Sequence, residues 1–260
     1  GEDIDRIGGM YDLLLEVNLG GTAIGTGINA DPRYAVLAVD HLARIAGYPI
    51  RLASDLIEAT SDMGAFVLFS GMTKRLAIKL SKICNDLRLL SSGPRTGLFE
   101  INLPPQQPGS SIMPGKVNPV IPEAVNQVAY QVVGNDMAIT MAAENGQLQL
   151  NVMEPLIAYK ILESMRLLRR AMDMLRERCI VGITANREHC RQLVDNSIGL
   201  ITALNPYIGY ENATRIAALA LESGRGVLEL VREEGLIEEE LLLDILKPEN
   251  MVNPRAYRKP

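Results

Sequence analysis

The feature that most constrains the fold is a proline-free run from residue 55 to residue 90, along which apolar side chains recur every three or four residues. That spacing is typical of an amphipathic helix. A helix of this length, on the order of 50 Å, is not stable alone in water and needs partners for its apolar face. Residues 119–150 and 153–179 show the same pattern, and Pro119 and Pro155 suit the first turns of those helices. The three segments together predict a helical bundle.

The rest of the chain predicts more helix and no substantial sheet, because few β-branched alternating runs occur. After about residue 187 the segments become shorter. Helices are predicted at 187–199, 211–222 and 227–234, with breaks at Asn205-Pro206 and Ser223-Gly224. We therefore expect an all-α fold, in which residues 1–187 form a long-helix bundle and residues 188–260 form a small C-terminal helical domain.

Composition narrows the possible functions. The 260 residues carry a net charge of -5, whereas a dedicated nucleic-acid binder usually has a basic surplus. The sequence has no uncharged apolar run of 18 residues, so we expect no transmembrane helix. The three cysteines are widely spaced and lack the spacing of metal ligands, which favours a reducing compartment such as the cytoplasm and predicts no metal site.

Two glycine-rich or irregular regions interrupt the helical pattern, and the first spans residues 18–31. Within it, residues 25–30 read Gly-Thr-Gly-Ile-Asn-Ala, which fits the G-x-G-x-x-A pattern of dinucleotide-binding loops. Such a site also needs a βαβ unit and an acidic residue about 20 positions further on, and Asp55 is at the wrong distance. We therefore favour close backbone packing between helices as the role of these glycines, and we predict no cofactor.

The second irregular region, residues 91–118, separates two predicted long helices, and irregular segments of that length are often functional. Its end differs from a phosphate-binding P-loop, because five residues separate Gly109 from Gly115 and Val117 follows Lys116. Backbone N–H groups of such a loop can nevertheless cluster around an anion, with Lys116 supplying charge and Asn118 a directional donor. The alternative is an ordinary surface loop with a solvated lysine.

Residues 109–119, Gly-Ser-Ser-Ile-Met-Pro-Gly-Lys-Val-Asn-Pro, resemble the signature loop of the aspartase/fumarase superfamily. Further segments resemble other blocks of that family in the same order along nearly the whole chain; they are residues 20–27, 92–95, 134–136, 148–155 and 205–210. The resemblance implies the helical-bundle fold of the superfamily and a small dicarboxylate substrate.

Residues 81–92, 120–123 and 151–155 resemble the ammonia-lyase branch of the superfamily. That resemblance implies reversible conversion of L-aspartate to fumarate and ammonia, through proton abstraction at C3 and an aci-carboxylate intermediate. Fumarate hydratase, from the same superfamily, is the alternative. A further alternative, for the segment taken alone, is a catalytically incomplete helical scaffold.

The resemblance also assigns roles to individual residues of the loop. It implies that Ser110 is the general base, with Ser111 as the adjacent alternative. Lys116 and Asn118 are expected to bind the substrate carboxylates, and Gly109 and Gly115 are expected to act as loop hinges. The backbone N–H groups expected to stabilise the oxyanion belong to Ser111, Ile112 and Met113.

Glu123 matches a family carboxylate that pairs with an active-site histidine in a Thr-His segment. The chain has only His41 and His189, neither in that context, so both are expected to be structural or surface residues. The sequence therefore resembles the C-terminal portion of a subunit whose N-terminal part supplies the histidine. In this family each active site is assembled from three subunits of a homotetramer, so that tetramer is the expected partner arrangement.

Overall fold

The computed structural model describes residues 1–107, 113 and 115–252. It confirms the all-α fold class, since the strands are only two residues long. The chain divides into two compact units. One contains residues 1–98 and 103–183, and the other contains residues 99–102 and the chain from 184 onward. The boundary that we placed at residue 187 from the sequence stays a prediction.

The larger unit is built on helices. Its helices are α1 (Glu2–Gly9), α2 (Tyr34–Ala46), α3 (Gly64–Leu90), α4 (Val120–Glu144) and α5 (Glu154–Leu175). Short 3-10 turns lie at Met10–Leu14 and Glu58–Thr60, and a π-helical turn, Arg176–Ile180, follows α5 directly. Strands β1 (Glu16–Val17) and β2 (Arg51–Leu52) pair in parallel.

The core of this unit lies between α3, α4 and α5, which pack antiparallel in sequence order. Three apolar clusters follow one another along these helices. Cys84 of α3 meets the start of α4 and the end of α5, and Met63 at the start of α3 meets the opposite ends. Between them, Ala77 of α3 packs with Ala129 and Leu168. Alanines at these contacts allow the helix backbones to approach closely, so the three helices bury apolar side chains at both ends and in the middle of the bundle.

The observed ends of the long helices differ from the predicted ones because side chains hydrogen-bond to nearby backbone groups. The sequence predicts a helix from residue 55, but Oδ1 of Asp55 accepts hydrogen bonds from the N–H groups of residues 57 and 58 and starts a separate turn. The carboxylate of Asp62 accepts from Gly64 N–H (3.0 Å), where α3 begins. At the far end of α4, Asn151 donates to the carbonyls of Ala142 (2.9 Å) and Ala143 (3.2 Å), which ends the helix several residues before the predicted residue 150.

The smaller unit contains strands β3 (Ile101–Asn102) and β4 (Thr184–Ala185), which pair antiparallel, and a set of short helices. These helices are α6 (Arg187–Asp195), α7 (Ile201–Ile208), α8 (Tyr210–Ser223), α9 (Val227–Glu233), α10 (Glu239–Ile245) and α11 (Pro248–Val252). Helices α7 to α11 pack around a core of their own, whose buried members are Leu200, Leu204, Ile208, Ala213, Ile216, Ala220, Val227, Leu230, Val231 and Leu242.

One predicted break in this unit is wrong and another is correct. Pro206 lies inside α7, which continues for two residues beyond it and ends at Gly209, where φ is 80°. Glycine adopts that left-handed conformation without a steric penalty, so the break moves from the proline to the glycine. The predicted break at Ser223-Gly224 is confirmed, because Gly224 (φ 69°) ends α8.

Within the parts of the chain that the structure describes, each helix is too short or too polar to cross a lipid bilayer.

We predict that Leu204→Ala destabilises the smaller unit by about 2–5 kcal/mol, because Leu204 is fully buried and its truncation leaves a cavity in the core. The measurement is hydrogen exchange of the α7 and α8 amides in the intact protein. Leu221→Ala is the matched control, because Leu221 is 75% exposed and its loss should change stability by no more than about 0.5 kcal/mol. Equal protection losses in the two variants would contradict this description of the core.

Candidate active site

The two ends of the predicted catalytic loop lie together at one end of the larger unit. One small cleft is lined by Leu103, Pro104 and Gln106 before the loop, by residues 118–122 after it, and by Arg178 and Cys179. The Asn118 carbonyl accepts a hydrogen bond from Val120 N–H (2.9 Å), and the Pro119 carbonyl accepts one from Glu123 N–H (3.1 Å). These bonds join the end of the loop directly to the first turn of α4.

Four of the predicted site residues, namely Gly109, Ser110, Ser111 and Ile112, lie outside the described residues. Their assigned roles therefore stay predictions.

The described part of the loop forms a tight turn. Lys116 N–H donates to the Met113 carbonyl (3.2 Å), and between them Gly115 has a φ of 80°, which L side chains rarely adopt. Met113 and Lys116 are exposed, whereas Asn118 is half-buried in the wall of the cleft. The lysine ammonium is therefore accessible to an anionic ligand, and Asn118 is the more firmly placed of the two predicted carboxylate-binding residues.

Glu123 lies half-buried in the first turn of α4. A carboxylate at this position interacts favourably with the positive end of the helix dipole. Among the residues that the structure describes, none forms a hydrogen bond or ion pair with its side chain. The pairing of this carboxylate with a histidine, which the family resemblance implies, therefore stays a prediction.

Arg178 is a cleft residue that the sequence analysis did not single out, because it belongs to a run of basic residues typical of a solvated helix face. It lies in the π-helical turn Arg176–Ile180. Turns of this type change the phase of side chains relative to an α-helix and are frequent at functional sites. Arg178 thus brings a second exposed cation, besides Lys116, to the part of the chain next to the loop. Sequence periodicity could not reveal this turn.

Cys179 and Cys84 lie buried in the apolar cluster next to the cleft. Burial raises the pKa of the Cys84 thiol to about 11, with a further contribution from nearby Cys179, and burial also raises the pKa of Cys179. A thiol acts as a nucleophile through its thiolate, so neither residue suits nucleophilic chemistry at neutral pH. They serve as small apolar residues of the core.

Neither histidine lines this cleft. His41 is exposed on α2, and its Nδ1 lies 3.3 Å from the Arg44 guanidinium. His189 is half-buried against the ring of Phe99, with ring centroids 6.3 Å apart. Among residues 1–107, 113 and 115–252, the structure holds no group of three or more His, Cys, Asp or Glu side chains that could bind a metal ion.

A larger cleft of about 350 Å³ lies in the same unit, between the 3-10 turns and the starts of α3 and α5. Its polar lining is mostly acidic, with Glu16, Glu58, Asp62 and Glu154 beside Asn18, and the other lining residues are apolar. Four carboxylates would repel a dicarboxylate ligand, so this cleft is a poor site for the substrate that the sequence implies.

The glycine-rich segment 20–27 packs tightly against neighbouring backbone. A Cβ atom on Gly25 would lie 2.3 Å from both the Cα of Ile57 and the carbonyl oxygen of Leu56, and its φ is 85°. The segment is followed by turns rather than directly by a helix. Close backbone packing, the role that the sequence favours over dinucleotide binding, therefore accounts for this glycine, although its neighbour is a turn and not a helix.

Comparisons with known proteins agree with this architecture. A family model described as Lyase matches residues 1–134, and one described as Fumarase C C-terminus matches residues 200–253. The chain is 78% identical to an aspartate ammonia-lyase of Pseudomonas fluorescens over 98% of its length, and 57% identical to that of Escherichia coli K12 over 99%. In both comparisons the chain spans 54% of the relative, or about half its length.

Solved structures also match. A cobalt-bound crystal structure described as fumarate lyase:delta crystallin, from Brucella melitensis, is 58% identical with a TM-score of 0.93, covering 97% of this chain and 55% of that one. A class II fumarase from Schistosoma mansoni is 33% identical with a TM-score of 0.90, covering 98% of this chain and 56% of that one.

We predict that a thiol reagent applied to the native protein at pH 8 labels Cys190, which is half-buried, while Cys84 and Cys179 react only after unfolding. Peptide mapping by mass spectrometry measures this, and Cys190→Ser is the control that should remove the native labelling. Since burial raises the pKa of Cys84 in the folded state, its contribution to stability is complete below the pKa of the unfolded thiol and declines as the pH rises towards 11. Rapid native labelling of Cys84 would contradict its assignment to the core.

Proposed function

We propose that this chain, which belongs to the lyase family whose model matches residues 1–134, is part of a carbon–nitrogen lyase. The enzyme would convert L-aspartate reversibly to fumarate and ammonia. The observation that carries the proposal is the 78% identity to an aspartate ammonia-lyase along 98% of the chain. The class II fumarase, at 33%, is much less similar. The ammonia-lyase features that we identified in residues 81–92, 120–123 and 151–155 support the same choice.

In the proposed reaction, a base removes one proton from C3 of L-aspartate. The electron pair of that C–H bond moves into the adjacent carboxylate, which becomes an aci-carboxylate with an additional negative charge. The pair then forms the C2–C3 double bond as the C–N bond breaks, and the protonated amino group takes the C–N electron pair and leaves as neutral ammonia. The difficult step is the first one, because the C3 proton is weakly acidic and charge accumulates on the carboxylate. Donors aimed at that carboxylate therefore accelerate the reaction by stabilising the transition state more than the substrate.

Different residues of this chain would carry out proton abstraction, substrate binding and closure of the loop. Ser110 would take the C3 proton, and because a hydroxyl is a weak base, the loop must stabilise its alkoxide through N–H donors. Lys116 and Asn118 would hold the substrate carboxylates. The exposed ammonium of Lys116 and the half-buried amide of Asn118 fit those roles. Gly109 and Gly115 would let the loop close and exclude water.

The rest of the site would come from the remainder of the subunit and from other subunits. The chain spans about half the length of the curated relatives that it matches, and we propose a homotetramer in which three subunits assemble each site. Exposed apolar side chains along α4 and α5 suit such an assembly. They include Tyr130, Met137, Met141, Tyr159 and Leu162, all more than half exposed. The three cysteines are free thiols, as expected for a protein in a reducing compartment such as the cytoplasm.

The experiment that tests the proposed reaction compares L-aspartate with L-malate as substrates of the full polypeptide that carries this chain. We expect fumarate, followed by its ultraviolet absorbance, to form from L-aspartate with release of ammonia. Formation of fumarate from L-malate alone would overturn the proposal in favour of fumarate hydratase, the alternative supported by the 0.90 TM-score to the class II fumarase. Fumarate from neither substrate, in a protein of native tetrameric mass, would favour the helical scaffold.

We predict that Ser110→Ala lowers kcat by about 10²–10⁴-fold or more, the usual contribution of a positioned general base. Steady-state kinetics measure the loss, and native mass spectrometry checks that the assembly is unchanged. Ser111→Ala is the matched control on the neighbouring hydroxyl. A larger loss in Ser111→Ala than in Ser110→Ala would transfer the role of base to Ser111.

A further inference from the structure

Asn126 is the most extensively hydrogen-bonded buried side chain near the candidate site. It lies on α4, one turn beyond Glu123, and is only 2% exposed. The two hydrogens of its amide nitrogen are shared among three acceptors, the Ser81 carbonyl (3.0 Å), the Ser81 hydroxyl (2.8 Å) and Asn85 Oδ1 (3.1 Å). Its Oδ1 accepts from the Arg88 guanidinium at 3.3 Å. A single carboxamide thus joins α4 to three residues of α3.

The three partners form a stripe along the last turns of α3. Ser81, Asn85 and Arg88 follow one another at intervals of four and three residues, so they share one face of the helix. The chain leaves α3 after Leu90 and returns as α4 at Val120. The Asn126 bridge therefore spans the base of the long segment that carries the loop.

This bridge fixes more than the separation of the two helices. The apolar contacts nearby, such as Val125 against Cys84, are non-directional and permit small rotations or shifts of one helix along the other. Hydrogen bonds from one planar amide to a backbone carbonyl and two side chains allow only a narrow range of rotation and register. The rotation of α4 in turn sets the direction of the Glu123 side chain and the position of Asn118.

We propose that Asn126 is a positioning residue for the lyase reaction: by fixing the rotation and register of α4 against α3, it holds the loop end and Glu123 in their catalytic arrangement. The inference rests on the proposed function. It adds a requirement for Asn126, which cannot be inferred from the sequence of the loop alone.

The structure supplies a matched control nine residues further along α4. Asn135 is 1% exposed, donates to Glu163 (3.0 Å) and Ser164 (3.1 Å) of α5, and accepts from Gln131. It resembles Asn126 in chemistry and burial, but it lies about 13 Å further from the start of α4. A purely structural buried amide should behave alike at the two positions.

The test compares Asn126→Ala with Asn135→Ala in the full polypeptide that carries this chain. We expect similar losses of thermal stability, but a fall in kcat of about 10²-fold for Asn126→Ala alone, the usual consequence of misplacing a reacting group by about 1 Å. KM should change much less than kcat in that variant. If Asn126→Ala does not fold, Ser81→Ala removes one hydroxyl from the same bridge and should lower kcat in the same direction.

Hydrogen exchange provides a readout that does not depend on activity. Asn126→Ala should speed exchange in the first two turns of α4 and leave residues 131–144 unchanged, whereas Asn135→Ala should do the reverse. Equal kcat losses in the two alanine variants, or unchanged exchange at the start of α4 in Asn126→Ala, would overturn the inference. A wild-type protein inactive on L-aspartate would overturn the proposed function, and the exchange comparison would still decide whether Asn126 fixes the start of α4.

Discussion

The packing of α3, α4 and α5 against one another is the constraint on which the larger unit depends. In proteins most helical stability comes from packing of the apolar face, so each of these helices depends on the other two to cover that face. Fully or nearly fully buried alanines, Ala77, Ala129 and Ala171, keep the backbones close, and that closeness allows short polar side chains to reach across. Ser70, for example, donates to the buried carboxylate of Asp136 at 2.7 Å, and Lys74 pairs with the same group at 2.6 Å.

The same packing determines where chemistry can occur. The end of α3, the start of α4 and the end of α5 meet at one end of the unit, so the segment between α3 and α4 must begin and finish there. The bundle thus supplies a rigid support on which an irregular loop can carry polar groups that a helix interior could not accommodate. Asn118 and Arg178 lie at this end, whereas the acidic cleft lined by Glu154 uses the start of α5.

Much of the fold could be predicted from the sequence because the relevant information is local. Apolar periodicity identified the three long helices, and Gly224 marked a true helix end. The errors arose where another local interaction prevailed, as when the carboxylates of Asp55 and Asp62 divided the first predicted helix. The candidate site was less predictable. Lys116 and Asn118 came from resemblance to a loop, but the position of Arg178 depends on a π-helical turn, and the role of Asn126 depends on contacts with residues about 40 positions away.

The close approach of Gly25 to the backbone at residues 56 and 57 limits which residue members of this family can carry at position 25. The contact involves backbone on both sides, so a side-chain change in residues 56 and 57 cannot make room for a larger residue at position 25. Any chain that keeps this turn arrangement must keep that glycine, whether or not it retains a working loop. Sequence identity in residues 20–27 therefore indicates a shared scaffold. A homologue that had lost catalytic activity would still have this segment. Evidence for retained catalytic activity has to come from the sequence of the loop.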